Sequence, residues 1–178
     1  MRFNIELGKE KATKTGNPTD RENVAALAQE LLKREIEVLS SRVQRYPQDM
    51  NRKFELATRF MRLQKWPQAI PLLQQASQDP RLKGKALLQL GLSFMSDNKL
   101  PLARGQLERA LPDLNAQNDP DSYKLGHYWM GRIAEKLGDR ATAETHYGDV
   151  LAVDYNYKDT LKRLEDLQGG AGGGMSIE

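Results

Sequence analysis

Few residues in this chain have the types and spacing that catalysis or metal binding requires. The two histidines, His127 and His146, are predicted to lie on different helices, without the spacing typical of a metal-binding pair. The sequence has no cysteine, which excludes disulfides, thiolate metal sites and cysteine nucleophiles. The run GGAGGG lacks the Lys-Ser/Thr of a phosphate-binding loop, and the acidic residues are scattered without a predicted cleft. We therefore expect no enzymatic activity, no cofactor and no metal ion.

Composition indicates a polar, helical protein. The 178 residues are 29% charged and 39% apolar, with a mean hydropathy of −0.69, and this length suits one domain or a short repeat array. No apolar run approaches the roughly 18 residues of a membrane span. The opening MRFNIELGKEKATKTG also lacks the apolar segment of a secretory signal, so we expect a cytoplasmic protein.

The strongest pattern is an internal repeat of apolar and small residues. Its clearest copy reads Leu87, Leu90, Gly91, Phe94, then Ala103, Leu107, Ala110. The positions 34 residues earlier hold Lys53, Leu56, Ala57, Phe60, then Ala69, Leu73, Ala76. The positions 40 residues later hold His127, Met130, Gly131, Ala134, then Ala143, Tyr147, Val150. Such spacing predicts pairs of helices, each with one apolar stripe.

This pattern resembles the tetratricopeptide repeat (TPR) family over about residues 50–155. No copy has the first-position tryptophan of the family, and Ala134 replaces the large aromatic residue in the third copy. The resemblance implies an all-α, right-handed TPR-like α-solenoid of helix-turn-helix repeats, with a long N-terminal helix and a C-terminal capping helix.

The same pattern predicts the following organisation. We expect a flexible N-terminus (1–18), a long helix (19–47) and three repeats (50–83, 84–117 and 118–156, the last with a preceding loop insert). A capping helix (157–168) and a disordered Gly-rich tail (169–178) follow. Thr19 and Glu22 have the spacing of a capping box at the start of the long helix. The pattern is also compatible with a longer array of which this sequence is one part.

Small residues are predicted where paired helices cross. Gly91 and Gly131 should allow close approach, with Leu107 and Tyr147 filling the space beside them. In the third copy, Gly138 should adopt a left-handed conformation and Asp139 should cap the next helix. Pro112 should end the second helix of the second repeat.

The resemblance also implies a concave groove, lined by the first helix of each repeat, that binds another protein. The groove positions carried over from the family are Asn51, Phe54, Thr58, Met61, Arg62, Lys85, Leu88, Leu92, Met95, Tyr128, Arg132, Glu135 and Lys136. Phe54 and Thr58 stand where the family's chaperone-tail readers have a Lys and Asn clamp for a terminal carboxylate, so that partner class is not expected. A peptide or helix segment with apolar residues fits better, and we expect a scaffold or adaptor.

Three alternatives remain open from the sequence. The long N-terminal helix could fill the groove, or the apolar strip could bind a second copy of the chain in a homo-oligomer or larger assembly. A nucleic acid could bind the basic middle, where residues 49–117 carry 11 basic and 6 acidic residues. The cluster in question is Arg52, Lys53, Arg59, Arg62, Lys65, Arg81, Lys83 and Lys85. Few aromatic residues lie nearby, so solvated helix faces explain this cluster better than nucleic-acid binding.

Overall fold

The computed structural model describes residues 2–169, and within that range the chain is all-α, without strands. Its helices are α1 (Arg2–Thr15), α2 (Pro18–Arg45), α3 (Met50–Arg62), α4 (Trp66–Ala76), α5 (Lys83–Ser96), α6 (Leu100–Ala110), α7 (Pro120–Lys136), α8 (Arg140–Val153) and α9 (Thr160–Gly169). A short 3-10 turn, Leu111–Asp113, follows α6. Among these helices none has the length and apolar character needed to cross a membrane. The chain divides between Ala69 and Ile70 into two compact units.

In the first unit, residues 2–15 form a helix where we expected a flexible N-terminus over residues 1–18. α1 packs against α2, and a Cβ added to Gly8 would lie only 2.8 Å from Val24 Cγ2. Gly8 therefore permits close packing of α1 against α2, and this tertiary contact stabilises α1 as a helix. Gly16, with φ of +64°, makes the turn between the two helices.

The cap of α2 also differs from the prediction. Asn17 Oδ1 accepts a hydrogen bond from the Thr19 backbone N–H at 3.0 Å, and Pro18 is the first residue of the helix. A capping box at Thr19 and Glu22 is therefore wrong. The helix begins earlier because Pro18 suits the first helical position and Asn17 supplies the cap.

α2 and α3 are joined by an ion pair and a buried leucine. Arg59 Nε donates to Glu35 Oε2 at 3.1 Å, and Leu39 of α2 is buried. Asp49 caps α3 by accepting a hydrogen bond from the Arg52 backbone N–H at 3.0 Å. These contacts fix the orientation of α3, which carries the first set of predicted groove residues.

In the second unit, glycines lie where paired helices pack most closely. A Cβ on Gly91 would lie 2.6 Å from Leu107 Cγ and 3.3 Å from the Ala103 carbonyl oxygen. A Cβ on Gly131 would lie 2.5 Å from Tyr147 Cε1. Leu107 and Tyr147 are fully buried, so the predicted packing role of both glycines is confirmed.

The predicted turns of the second unit are also confirmed. Gly138 has φ of +73°, and Asp139 Oδ1 accepts a hydrogen bond from the Thr142 backbone N–H at 3.2 Å. α6 ends at Ala110, and Pro112 lies in the 3-10 turn that follows. The helices α7 and α8 are thus connected tightly, which determines which of their side chains meet.

α9 covers the end of the last helix pair. Thr160 is fully buried, and Leu164 and Leu167 pack against the buried cluster that includes Tyr147 and Val150. This is the capping helix that an array of repeats needs at its end. The Gly-rich tail expected over residues 169–178 starts at Gly169, which is the last residue of α9, and its other residues lie outside the described range.

The helices suggest where the repeats begin and end. α3 and α4 fall within residues 50–83 and α7 and α8 within 118–156, whereas α5 begins at Lys83, one residue before the predicted 84–117. These ranges remain our proposed repeat boundaries.

Candidate partner-binding surface

In the second unit, α5 and α7 pack side by side and carry four accessible residues from the predicted groove. Leu92 and Met95 lie one turn apart on α5 and are half-buried. Arg132 of α7 is half-buried and Lys136 is exposed. We call these four residues the inner surface. It combines two apolar side chains on one helix with two basic side chains on its neighbour.

Lys85, at the start of α5, is exposed but already paired. Its Nζ lies 2.7 Å from Asp119 Oδ2, and this contact holds the pKa of the Asp119 carboxyl below its usual range. Lys85 therefore joins α5 to the start of α7 and has less freedom to bind a partner than the prediction implied.

Two predicted groove residues are buried, and the prediction is wrong for both. Leu88 is 1% exposed, and its Cδ1 lies 3.8 Å from where a Cβ of Gly126 would be, so it packs between α5 and α7. Tyr128 is 4% exposed and belongs to the cluster beneath α9. Both positions point inward because the next helix packs more closely than a repeat pattern alone can indicate.

Glu135, also predicted for the groove, is held inside the second unit. Its carboxylate accepts hydrogen bonds from Arg163 Nη1 at 3.0 and 3.1 Å and from the Tyr147 hydroxyl at 2.7 Å. Burial raises the pKa of Tyr147, and the bond to the carboxylate raises it further. Glu135 therefore joins α7, α8 and α9 and is a structural residue in this conformation.

A second polar contact attaches the start of α9 to α7. The Tyr128 hydroxyl donates to Asp159 Oδ1 at 2.7 Å and accepts a hydrogen bond from Arg132 Nη1 at 3.0 Å. The hydrogen bond from Tyr128, together with the Arg163 guanidinium, lowers the pKa of the Asp159 carboxyl. Arg132 is thus oriented by the same contact that secures the capping segment.

Trp129 is a residue of this region that the sequence analysis missed. It is half-buried, and the Lys158 ammonium lies 5.4 Å from its ring, 4.4 Å from the Tyr128 ring and 5.0 Å from the Tyr157 ring. Burial lowers the pKa of Lys158. The sequence does contain a signal for Trp129, because it directly follows Tyr128. Successive helical residues point about 100° apart, so the two rings cannot both lie on the same face of α7.

The first unit carries its own predicted groove residues on α3. Phe54, Thr58 and Met61 are half-buried, whereas Asn51 and Arg62 are exposed. The Thr58 hydroxyl donates to the Glu55 carbonyl at 2.7 Å. These five residues give α3 a mixed apolar and polar face.

A cavity in the first unit lies beside the end of that face. It has a volume of about 690 Å³, and its lining includes Arg62, Leu63, Leu31, Leu32 and Lys9. α1, α2 and α3 all contribute to it, so the helix α1 that the sequence analysis missed forms one of its walls.

Most of the basic residues considered for nucleic acid are neutralised within their own unit. Ion pairs join Arg52 to Asp49, Arg59 to Glu35, Arg81 to Asp79, Lys83 to Asp113 and Lys85 to Asp119. Lys53 is buried. Paired charges contribute less to phosphate binding, because a competing anion must replace the existing carboxylate contact.

The structure brings the two histidines together, contrary to the expectation from their spacing. His127 Nδ1 lies 3.1 Å from His146 Nδ1 and 2.9 Å from Asp149 Oδ2. His127 is nine-tenths buried, as its packing position predicted. Burial lowers the pKa of both imidazoles, and the Asp149 carboxylate opposes this effect. The sequence signal was hidden because the two residues are far apart in the chain and meet across the α7–α8 turn.

Comparison with known proteins supports the fold and little beyond it. No family model and no curated protein matches the sequence. Among solved structures, one of MamA has a TM-score of 0.65 at 17% identity, covering 93% of this chain and 85% of MamA. The thermophilic TPR protein TTC0263 of Thermus thermophilus has a TM-score of 0.60 at 17% identity, covering 92% of this chain and 88% of that one.

A third similar structure includes a bound peptide. It is the first TPR of Spaghetti (RPAP3) bound to the HSP90 peptide SRMEEVD, with a TM-score of 0.60 at 16% identity, covering 71% of this chain and 95% of that one. At this level of identity the similarity concerns backbone architecture. The chain therefore has the TPR-like α-solenoid fold that its repeat pattern predicted.

Proposed function

We propose that this protein is a non-enzymatic scaffold or adaptor that binds a peptide or helix segment of another protein. The observation that carries the proposal is the inner surface, where Leu92 and Met95 remain accessible although the repeat packing does not require apolar residues at those positions. Accessible apolar residues beside oriented basic groups are typical of peptide-binding surfaces.

The charges of the inner surface favour a particular kind of segment. Arg132 is oriented by its hydrogen bond to Tyr128, and Lys136 is exposed one turn further along α7. A segment with two apolar side chains for Leu92 and Met95, followed by acidic residues, would complement both parts. Side chains already held in place lose less entropy on binding.

The first unit offers a second candidate surface on α3. Phe54 and Met61 are half-buried on the same helix as exposed Asn51 and Arg62. The ion pair with Glu35 joins α2 to Arg59, an α3 residue outside the predicted groove set. This favours an α3 stripe that binds a partner over one filled by the long N-terminal helix.

Two alternative functions can be separated from capture of another protein. Nucleic-acid binding is disfavoured by the carboxylate partners of five of the eight clustered basic residues. Self-association would use the same apolar side chains, and sedimentation at several protein concentrations distinguishes it from capture of a different protein.

The experiment compares capture of proteins from a cell extract by three forms of the tag-immobilised chain. Leu92→Glu with Met95→Glu places two charges in the inner surface. Leu102→Glu with Val153→Glu is the matched control, because both residues are exposed apolar side chains on α6 and α8. We expect a protein that the wild type and the control retain to be lost from the inner-surface variant. Equal recovery by all three forms would reject the inner surface as the binding site.

A further inference from the structure

Three potential metal-binding side chains meet on one side of the α7–α8 pair. His127 comes from α7, whereas His146 and Asp149 lie one turn apart on α8. The His127 Nδ1 to His146 Nδ1 distance is 3.1 Å, and Asp149 Oδ2 lies 2.9 Å from the first nitrogen and 3.9 Å from the second. Each residue thus offers one potential ligand atom, and the three atoms lie close together.

These distances match the size of a small tetrahedral metal site. Bonds of about 2.0–2.1 Å from Zn²⁺ to nitrogen or oxygen place neighbouring ligand atoms roughly 3.3 Å apart. The three observed distances lie on both sides of that value, and a point about 2 Å from all three atoms exists. A divalent ion could therefore be accommodated without moving either helix.

The short contacts of the cluster can be made either by a proton on one Nδ1 or by a bound cation. When both imidazoles carry their proton on Nε2, two Nδ1 lone pairs and a carboxylate oxygen face one another, and a cation would neutralise that repulsion.

The surroundings give this point both support and access. The Tyr123 ring lies against His127, with 4.2 Å between ring centroids and 33° between ring planes, and supports the imidazole from one side. The side chains of His127 and His146 are 11% and 15% exposed, whereas Asp149 is 39% exposed, so an ion can enter from the carboxylate side. Near His146, the positive charge of Arg104 is opposed by Glu108 and Asp139.

We propose that His127, His146 and Asp149 bind one Zn²⁺-like divalent transition-metal ion, with a fourth position open to water. Two imidazoles and one carboxylate suit zinc and its first-row neighbours rather than Mg²⁺ or Ca²⁺, which prefer oxygen ligands. The ion joins α7 to α8, so binding stabilises the second unit. This inference is independent of the proposed partner surface, because none of the three ligands belongs to the inner surface.

The test is titration calorimetry with Zn²⁺ on the full chain, freed of any histidine tag, at neutral pH. The sequence has only two histidines, so imidazole signals in an NMR spectrum report the site directly. We expect one Zn²⁺ per chain, shifts of both imidazole signals, a higher melting temperature with Zn²⁺, and no effect of Mg²⁺.

Two variants and one control make the test specific. His146→Gln and Asp149→Asn should each weaken Zn²⁺ binding by at least ~10-fold, and using both guards against loss of folding in one of them. Asp166→Asn, at an exposed carboxylate on α9, should bind like the wild type. No saturable binding by the wild type would overturn the proposal, as would equal Zn²⁺ affinity in the wild type and both site variants.

Discussion

At the scale of single residues, glycines determine how closely the helices of the second unit pack, because glycine has no side chain. Gly131 faces the Tyr147 ring, whose hydroxyl is fixed by Glu135, so that ring has little freedom to move aside. We predict that Gly131→Ala lowers the free energy of unfolding by about 1–3 kcal/mol through overpacking. Urea denaturation monitored by circular dichroism measures this change.

Gly148 provides the matched control on the partner helix α8. A Cβ at Gly148 would have no heavy-atom neighbour within 4 Å beyond the adjacent backbone of its own helix. Gly148→Ala should therefore raise the free energy of unfolding by roughly 0.5–1 kcal/mol, because alanine restricts the unfolded chain and favours the helix. Equal effects of the two substitutions would show that close packing at Gly131 is not what the glycine provides.

A substitution at Leu88 tests whether this predicted groove residue is buried between α5 and α7. Because Leu88 is 1% exposed, Leu88→Ala should lower the free energy of unfolding by about 2–5 kcal/mol. Leu102 of α6 is 50% exposed, and Leu102→Ala should change it by about 0.5 kcal/mol or less. A small change in the free energy of unfolding for Leu88→Ala, measured by the same denaturation experiment, would contradict the burial of Leu88.

Sequence reasoning at this scale succeeded where a residue serves its own helix pair. Gly91 acts within the α5–α6 pair, and Gly131, Gly138 and Asp139 act within the α7–α8 pair. The repeat spacing identifies each of them. Leu88 was misjudged because its burial depends on how closely α7 packs around Gly126. His127 and His146 were separated in the prediction because periodicity places each on a helix but does not give the rotation of one helix against the other.

At the scale of secondary-structure elements, α9 depends on charged contacts as well as on its leucines. The Asp159 carboxylate is stabilised by the Tyr128 hydroxyl and by Arg163, which lowers its pKa in the folded state. A lowered folded pKa means that this contribution is present above the unfolded value of about 4 and is lost as the pH falls through the folded value.

We predict that Asp159→Asn is less stable than the wild type at neutral pH and that the difference shrinks on acidification. The difference between the two free energies of unfolding, measured by denaturation from neutral pH to below about pH 4, isolates this carboxylate from the others. Asp166→Asn, within α9, serves as the control, with a small effect expected. A difference that stays constant with pH would mean that the charge of Asp159 does not secure α9.

The two ends of the described chain show what the repeat pattern can and cannot predict about elements. α9 was predicted because Leu161, Leu164 and Leu167 have helical spacing. α1 was missed because it lies outside the repeats and forms by packing against α2, where Gly8 approaches Val24. A helix that forms by packing against a neighbour outside the repeats leaves a weak sequence signal.

At the scale of the whole molecule, the repeat pattern predicted the architecture but not its use. The TPR-like fold is supported by solved structures of 16–17% identity, and such similarity is independent of the side chains on the binding surface. The proposed function therefore rests on the few accessible residues that packing does not require. Leu92 and Met95 meet that description most clearly within the second unit.

Site-specific photocrosslinking tests the central claim most directly. A photoreactive phenylalanine analogue is placed at Met95 in one form of the protein and at Leu102 of α6 in the control form, and each is irradiated in cell extract. We predict that the Met95 form crosslinks to a discrete partner and that the crosslink disappears when Leu92 is changed to Glu. The same crosslinked protein obtained from both positions, or from Met95 regardless of Leu92→Glu, would contradict a partner-binding site on α5.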